Sequence, residues 1–73
     1  MPVTKQNVDD VFTYHAPDLE QQAALTHVRQ SAKELAKTML DHVPACADQQ
    51  AALRLLREAV MTANAAIALK GAV

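Results

Sequence analysis

The chain has 73 residues, of which 51% are apolar but only 3% aromatic, and a formal net charge of −1. Such a length carries one small domain at most, near the size where a lone core is marginal. The charge argues against the general, salt-dependent polyanion binding that duplex DNA requires, and no apolar run approaches the roughly 18 residues needed to span a bilayer. Alanine supplies much of the apolar content, and it contributes little burial per residue, so a monomeric core would be thin. The opening MPVTKQNVDD lacks the basic-then-apolar pattern of a signal peptide. Cys46, the one cysteine, can form no intrachain disulfide and has no zinc-type companions, so a reducing cytosol is expected.

Residues 1–17 read as an N-terminal arm. Met1 to Gln6 is polar and expected to fray. Asn7 to Val11 is expected to form one helical turn, with Asn7 as N-cap and Asp9 and Asp10 near its positive end. Pro17 disfavours helix at Ala16, so Phe12 to Pro17 is expected to run extended, carrying the one Phe and the one Tyr of the chain. Aromatics placed in an arm either plug the end of a bundle or receive a ligand.

Residues 18–73 read as a helical hairpin. Asp18 is a natural N-cap, Gln21 three residues on completes a capping-box pattern, and Glu20 suits the first turn. The helix is expected to reach about His42. Its apolar positions, Leu25, Val28, Ala32, Leu35, Met39 and Val43 (or Leu40), follow a heptad-like spacing, and Pro44 ends it. After a short Pro44–Ala45–Cys46 link, with Cys46 or Asp48 as cap, a second helix of similar length runs to about Leu69. It is expected to turn Leu53, Leu56, Ala59, Ala63, Ala66 and Ile67 inward and to end at Gly71. Two such helices on a tight link pack as an antiparallel αα-hairpin. The expected fold class is therefore all-α. The stretch Ala59 to Leu69, AVMTANAAIAL, is apolar nearly all round. Helices of that kind are normally buried, and so short a chain has little to bury one with. Other copies of the chain are expected to cover it, in a symmetric homo-oligomer.

Few residues could carry chemistry. The three histidines, His15, His27 and His42, include no i, i+4 pair that would set two ligands on one helix face, so no metal site is expected. Cys46 stands near a helix N-terminus, but no base accompanies it. There is also no phosphate-cradling glycine loop. Neither an enzyme nor a cofactor is expected.

The cations offer more. Arg29 and Lys33 are i, i+4 on the first helix, about 6 Å apart, and Arg54 and Arg57 form an i, i+3 pair on the second. By themselves they read as a solvated face offset by Glu34 and Glu58. Beside Tyr14 they read differently, because an aromatic near a basic helical face can stack a base and hold a phosphate. Asn64 sits among alanines, where a buried amide needs partners. It either fixes helix register, as a lone Asn does in coiled coils, or meets a polar ligand or a neighbouring chain.

The string F-x-Y-H-x-P-x-x-x-Q (Phe12, Tyr14, His15, Pro17, Gln21) is followed by V-R-x-x-A-K over Val28 to Lys33 and L-R-E-A-V-M-x-A-N-A-A-I-A over Leu56 to Ala68. Together these resemble the phage type II anti-CBASS proteins, which share a helical-hairpin domain with an anti-Thoeris family. The resemblance covers about Phe12 to Gly71. It implies a hexamer that sequesters cyclic dinucleotides and, in a separate pocket, cyclic trinucleotides. The implied setting is the cytoplasm of an infected bacterial host, where sequestration blocks anti-phage immune signalling. Tyr14 matches the family's stacking tyrosine. Arg29 matches its phosphate-binding position, which is more usually lysine; arginine can bind a phosphate there bidentately, with Lys33 expected to assist. For the second pocket, Ser31 stands at the hydroxyl position, Lys70 at the basic one, and Ala68 lines it. No nucleic acid polymer and no membrane is an expected partner. The competing expectation is a structural or interaction module that docks a partner protein. A helix-turn-helix DNA binder ranks third, since its turn usually contains Gly and its helices are shorter.

Overall fold

The computed structural model describes residues 2–72. Three helices follow in order, α1 Val8–Val11, α2 Leu19–His42 and α3 Ala47–Ala68, and the described residues contain no strand. α2 and α3 pack on each other. Hydrogen bonds tie Gln21 of α2 to Ile67 of α3 at one end and Gln49 of α3 to Val43 at the other, so the pair is antiparallel. The molecule measures 46 × 27 × 17 Å with a radius of gyration of 15.3 Å, against about 11 Å for a compact domain of this length. It is a rod two helices wide.

The helix ends follow the local chemistry. The Asp18 side chain accepts from the Gln21 amide at 2.8 Å, and the Gln21 side chain accepts from the Asp18 amide at 2.9 Å. That is a complete capping box. α2 stops at Val43, which turns extended ahead of Pro44. Cys46 holds the N-cap position of α3 without a side-chain cap bond, and Asp48 lies in the first turn. α3 closes in a Schellman arrangement, with Gly71 N–H donating to Ala66 and Lys70 N–H to Ile67. Gly71, the expected terminator, has φ +75°, but Lys70 enters the left-handed region first, at φ +53°.

The arm differs from expectation near its start. Asn7 occupies the N-cap position of α1, yet its side chain makes no cap bond. It turns back instead, accepting from Thr4 N–H at 2.7 Å and donating to the Pro2 carbonyl at 3.1 Å. Residues 2–6, expected to fray, are thereby tied to α1. Met1 lies outside the described residues, as does Val73.

The seam between the helices is thin. Leu25, Val28, Ala32 and Met39 are half-buried along α2 as expected, but Leu35, Leu40 and Val43 are exposed and Ala36 takes Leu35's place. Along α3, Leu53, Leu56, Ala63 and Ile67 face the partner helix, whereas Ala59 and Ala66 are exposed. Val60 and Asn64 stand where those alanines were expected. The straight 3.6-residue period carries a strict heptad round the helix, and Val60 gains more from burial than Ala59 would. No apolar side chain among the described residues is fully buried; the one buried residue is Gln49.

Polar clasps therefore matter unusually. Gln21 donates its amide to the Ile67 carbonyl at 2.9 Å and the Ala68 carbonyl at 3.4 Å while still completing the capping box. Gln49 donates to the Val43 carbonyl at 3.2 Å and accepts from Gln50 at 3.1 Å. Gln21→Ala should cost about 1–2 kcal/mol, through the lost cap and the lost interhelix bond. Gln30→Ala, at an exposed position of the same helix, should stay within about 0.5 kcal/mol. Urea unfolding at one fixed protein concentration, followed by the helix signal, checks the pair.

Candidate functional site

On one side of the seam the two helices leave an open groove of about 580 Å³, within the size range of small-molecule sites. Ala32 and Ala36 of α2 face Leu53, Leu56 and Val60 of α3 across it, and the short alanines make it concave. Arg29 and Lys33 stand on the α2 rim, Arg57 and Met61 on the α3 rim. The floor is thus apolar and the rim cationic.

Those cations are not neutralised. Among the described residues the ion pairs join Lys37 to Glu34, Lys70 to Asp18 and His15 to Asp10; none involves Arg29, Lys33 or Arg57. Among the described residues the Arg29 side chain meets only the Thr26 hydroxyl, at 3.5 Å. Glu34, expected to offset Arg29 and Lys33, engages Lys37 at 3.7 Å instead. An apolar floor flanked by free cations suits a molecule with flat rings and anionic groups.

The expected site residues fall in three places. Arg29 and Lys33 share the groove with Arg57. Tyr14 is 83% exposed on the arm, and Phe12 is 79% exposed, so neither plugs an end of the hairpin. The arm is held by His15, whose Nε2 lies 2.6 Å from the Asp10 carbonyl, and by Thr13, whose hydroxyl donates to the Asp9 carbonyl. Ser31 is exposed on α2, about 200° round the helix from Arg29.

Ala68 and Lys70 lie at the far end of α3. Lys70 lines a smaller cavity of about 280 Å³ with Asp18, Glu20, Gln21, Ala24 and Ile67, its Nζ 3.4 Å from Asp18 Oδ2. The Asp18 carboxyl is held below its ordinary pKa chiefly by the Gln21 amide; partial desolvation opposes this and Lys70 adds to it. Tyr14 thus does not line the groove with Arg29, nor does Ser31 line the smaller cavity with Lys70.

Sequence reasoning missed Arg57 as a groove residue. The available signal was its place three before Val60, at the edge of the seam, but a seam drawn through Ala59 hides it. Asn64, one turn beyond Val60, has its Oδ1 buried without a hydrogen-bond partner.

Residues 4–68 match the Acb2/Tad1 hairpin domain. The chain belongs to this hairpin family. The matched span takes in α1, the arm, α2 and α3 to its last residue, in keeping with the anti-CBASS and anti-Thoeris resemblance of the motifs. Membership in the Acb2/Tad1 family implies a hairpin domain that sequesters signalling molecules, and the family is not one of known enzymes. No curated protein and no solved structure matches the chain. Among the described residues, no helix is long and apolar enough to cross a membrane, and no group of three or more His, Cys, Asp or Glu is placed to hold a metal.

Within this Acb2/Tad1 hairpin the groove exists because α2 is short-sided there. Ala36→Leu should fill the floor, raise the stability of the free protein by about 1 kcal/mol through added apolar burial, and block the groove. Thermal unfolding of the free variant checks the first effect, and loss of binding of an apolar anionic dye to the groove checks the second.

Proposed function

We propose that this Acb2/Tad1 hairpin sequesters cyclic dinucleotide second messengers and, through Ser31, Ala68 and Lys70, cyclic trinucleotides. It acts without catalysis, as a symmetric homo-oligomer with a hexamer expected, in the cytoplasm of a phage-infected bacterium. The observation that carries this reading is the groove, where three unpaired cations flank an apolar floor in a member of a sequestering family.

The roles follow from chemistry. Tyr14 stacks on a base, Arg29 grips a phosphate bidentately, and Lys33 adds a point charge. Arg29 lies about 15 Å along α2 from Leu19, and the arm carrying Tyr14 is fastened to its own helical turn through His15. Because Tyr14 does not line the groove that holds Arg29, in this reading each site takes its tyrosine from one copy and its cations from another. The same holds for Ser31 and Lys70.

Two further features support this. The rod has no fully buried apolar side chain among its described residues, while Leu19, Leu55 and Met61 are 82%, 59% and 61% exposed; neighbouring copies supply that cover. Lys70 also occupies a left-handed position that glycine would fill without strain, as expected of a side chain kept for a task. In this arrangement residues 18–73 form the hairpin unit and residues 1–17 the arm that reaches the neighbouring site.

Complementation tests the shared site. Tyr14→Ala alone should weaken cyclic dinucleotide binding by roughly 1–3 kcal/mol, and Arg29→Ala should weaken it and flatten its salt dependence. Co-expressed, the two variants should regain wild-type affinity at about a quarter of the sites, the share expected from random mixing in a symmetric assembly. Titration that finds no recovered sites would remove the two-copy arrangement. Wild-type affinity in both single variants would favour a protein-docking role for the arm.

A further inference from the structure

We propose that Arg57 is a third ligand-binding cation, reaching from α3 the same anionic ligand that Arg29 and Lys33 reach from α2, so that the bound ligand clamps the two helices together. This rests on the reading of the groove as a cyclic dinucleotide site. Arg57 lines the groove opposite Arg29 and Lys33 and has no carboxylate partner among the described residues. Glu58, its neighbour in sequence, makes no ion pair there either. Arg54, one turn earlier on α3, is also exposed but does not line the groove.

Three like charges around one apolar trough repel one another, and no carboxylate among the described residues pairs with any of them. An occupant with two phosphodiester groups removes that repulsion and leaves neither phosphate without a cation. Because Arg57 stands on the other helix, the occupant also bridges α2 and α3. In a hairpin whose seam holds no fully buried apolar residue, a bridge of this kind raises the unfolding temperature by linkage. Ligand binding and hairpin stability are therefore coupled through Arg57.

The test is calorimetric titration and thermal unfolding of the full chain with cyclic di-AMP and cyclic di-GMP, comparing wild type, Arg57→Ala, Arg57→Lys, Arg54→Ala and Arg29→Ala. Arg57→Ala should bind about tenfold more weakly or worse, with a shallower salt dependence and most of the ligand-induced rise in Tm gone. Its Tm without ligand should stay level or rise, because one repulsive charge has left. Arg57→Lys should recover part of the affinity, and Arg54→Ala should match wild type. If Arg57→Ala binds as wild type while Arg29→Ala does not, Arg57 is no ligand residue and the cyclic dinucleotide reading stands without it. A fall in the ligand-free Tm of Arg57→Ala that Arg57→Lys does not reverse would make the residue structural and overturn the proposal. Wild type that binds neither cyclic dinucleotide sinks both this proposal and the reading beneath it.

Discussion

The hairpin depends on what Gln21 does with one amide. Its oxygen accepts from Asp18 to close the first turn of α2, while its nitrogen donates to the carbonyls of Ile67 and Ala68 at the end of α3. Those carbonyls belong to the last turn, which lacks intrahelical donors; Ile67 also accepts from Lys70 N–H just past the helix. One side chain thus finishes two helix ends and sets their register. Gln49, the one buried residue among those described, performs the same service at the other end by holding the Val43 carbonyl. With both ends clasped, the middle of the seam need not be densely packed, and it is not.

That looseness is where function becomes possible. Ala32 and Ala36 hold the helix surfaces apart from a full apolar fit, and the groove they leave collects Arg29, Lys33 and Arg57 on its rim. A better-packed hairpin would be more stable and would have no such groove, which is the familiar opposition between stability and a binding site. Asn64 Oδ1, buried without a partner, and Lys70, in a left-handed backbone conformation, are two further places where stability is forgone. All of these costs fall on a chain with no fully buried apolar side chain among its described residues. Assembly and ligand binding, as proposed here, would both restore what the lone chain lacks.

Much of the fold was legible because local rules fixed it. The capping box at Asp18 and Gln21 and the stop before Pro44 are short-range chemistry that tertiary packing did not override, whereas at the end of α3 Lys70 rather than Gly71 takes the first left-handed position. The pairing of Arg29 with Lys33 was legible for the same reason, since i, i+4 spacing places them on one face. The side of α3 turned inward was not. Alanines recur so densely there that the seam can be drawn through Ala59 and Ala66 or through Val60 and Ile67, and only the volume of the packed side chains decides. Drawing it through Ala59 concealed that Arg57, and not Arg54, lines the groove. Gln49 was invisible for another reason: its partner is a backbone carbonyl in the connection, and no side-chain pattern announces such a bond. Tyr14 lies exposed outside the helices, and that it does not line the groove is a three-dimensional fact that spacing along the sequence does not carry.

Sequestration, as proposed here, requires a stoichiometric complex between several copies of this chain and an unaltered cyclic nucleotide. Native mass spectrometry of the full chain, mixed with a panel of cyclic di- and trinucleotides, measures copy number, ligand number and ligand mass together. The prediction is a closed symmetric oligomer, six copies by family resemblance, that carries cyclic dinucleotides at their intact mass. A monomer that retains no cyclic nucleotide, or a complex holding linearised or cleaved products, would contradict it.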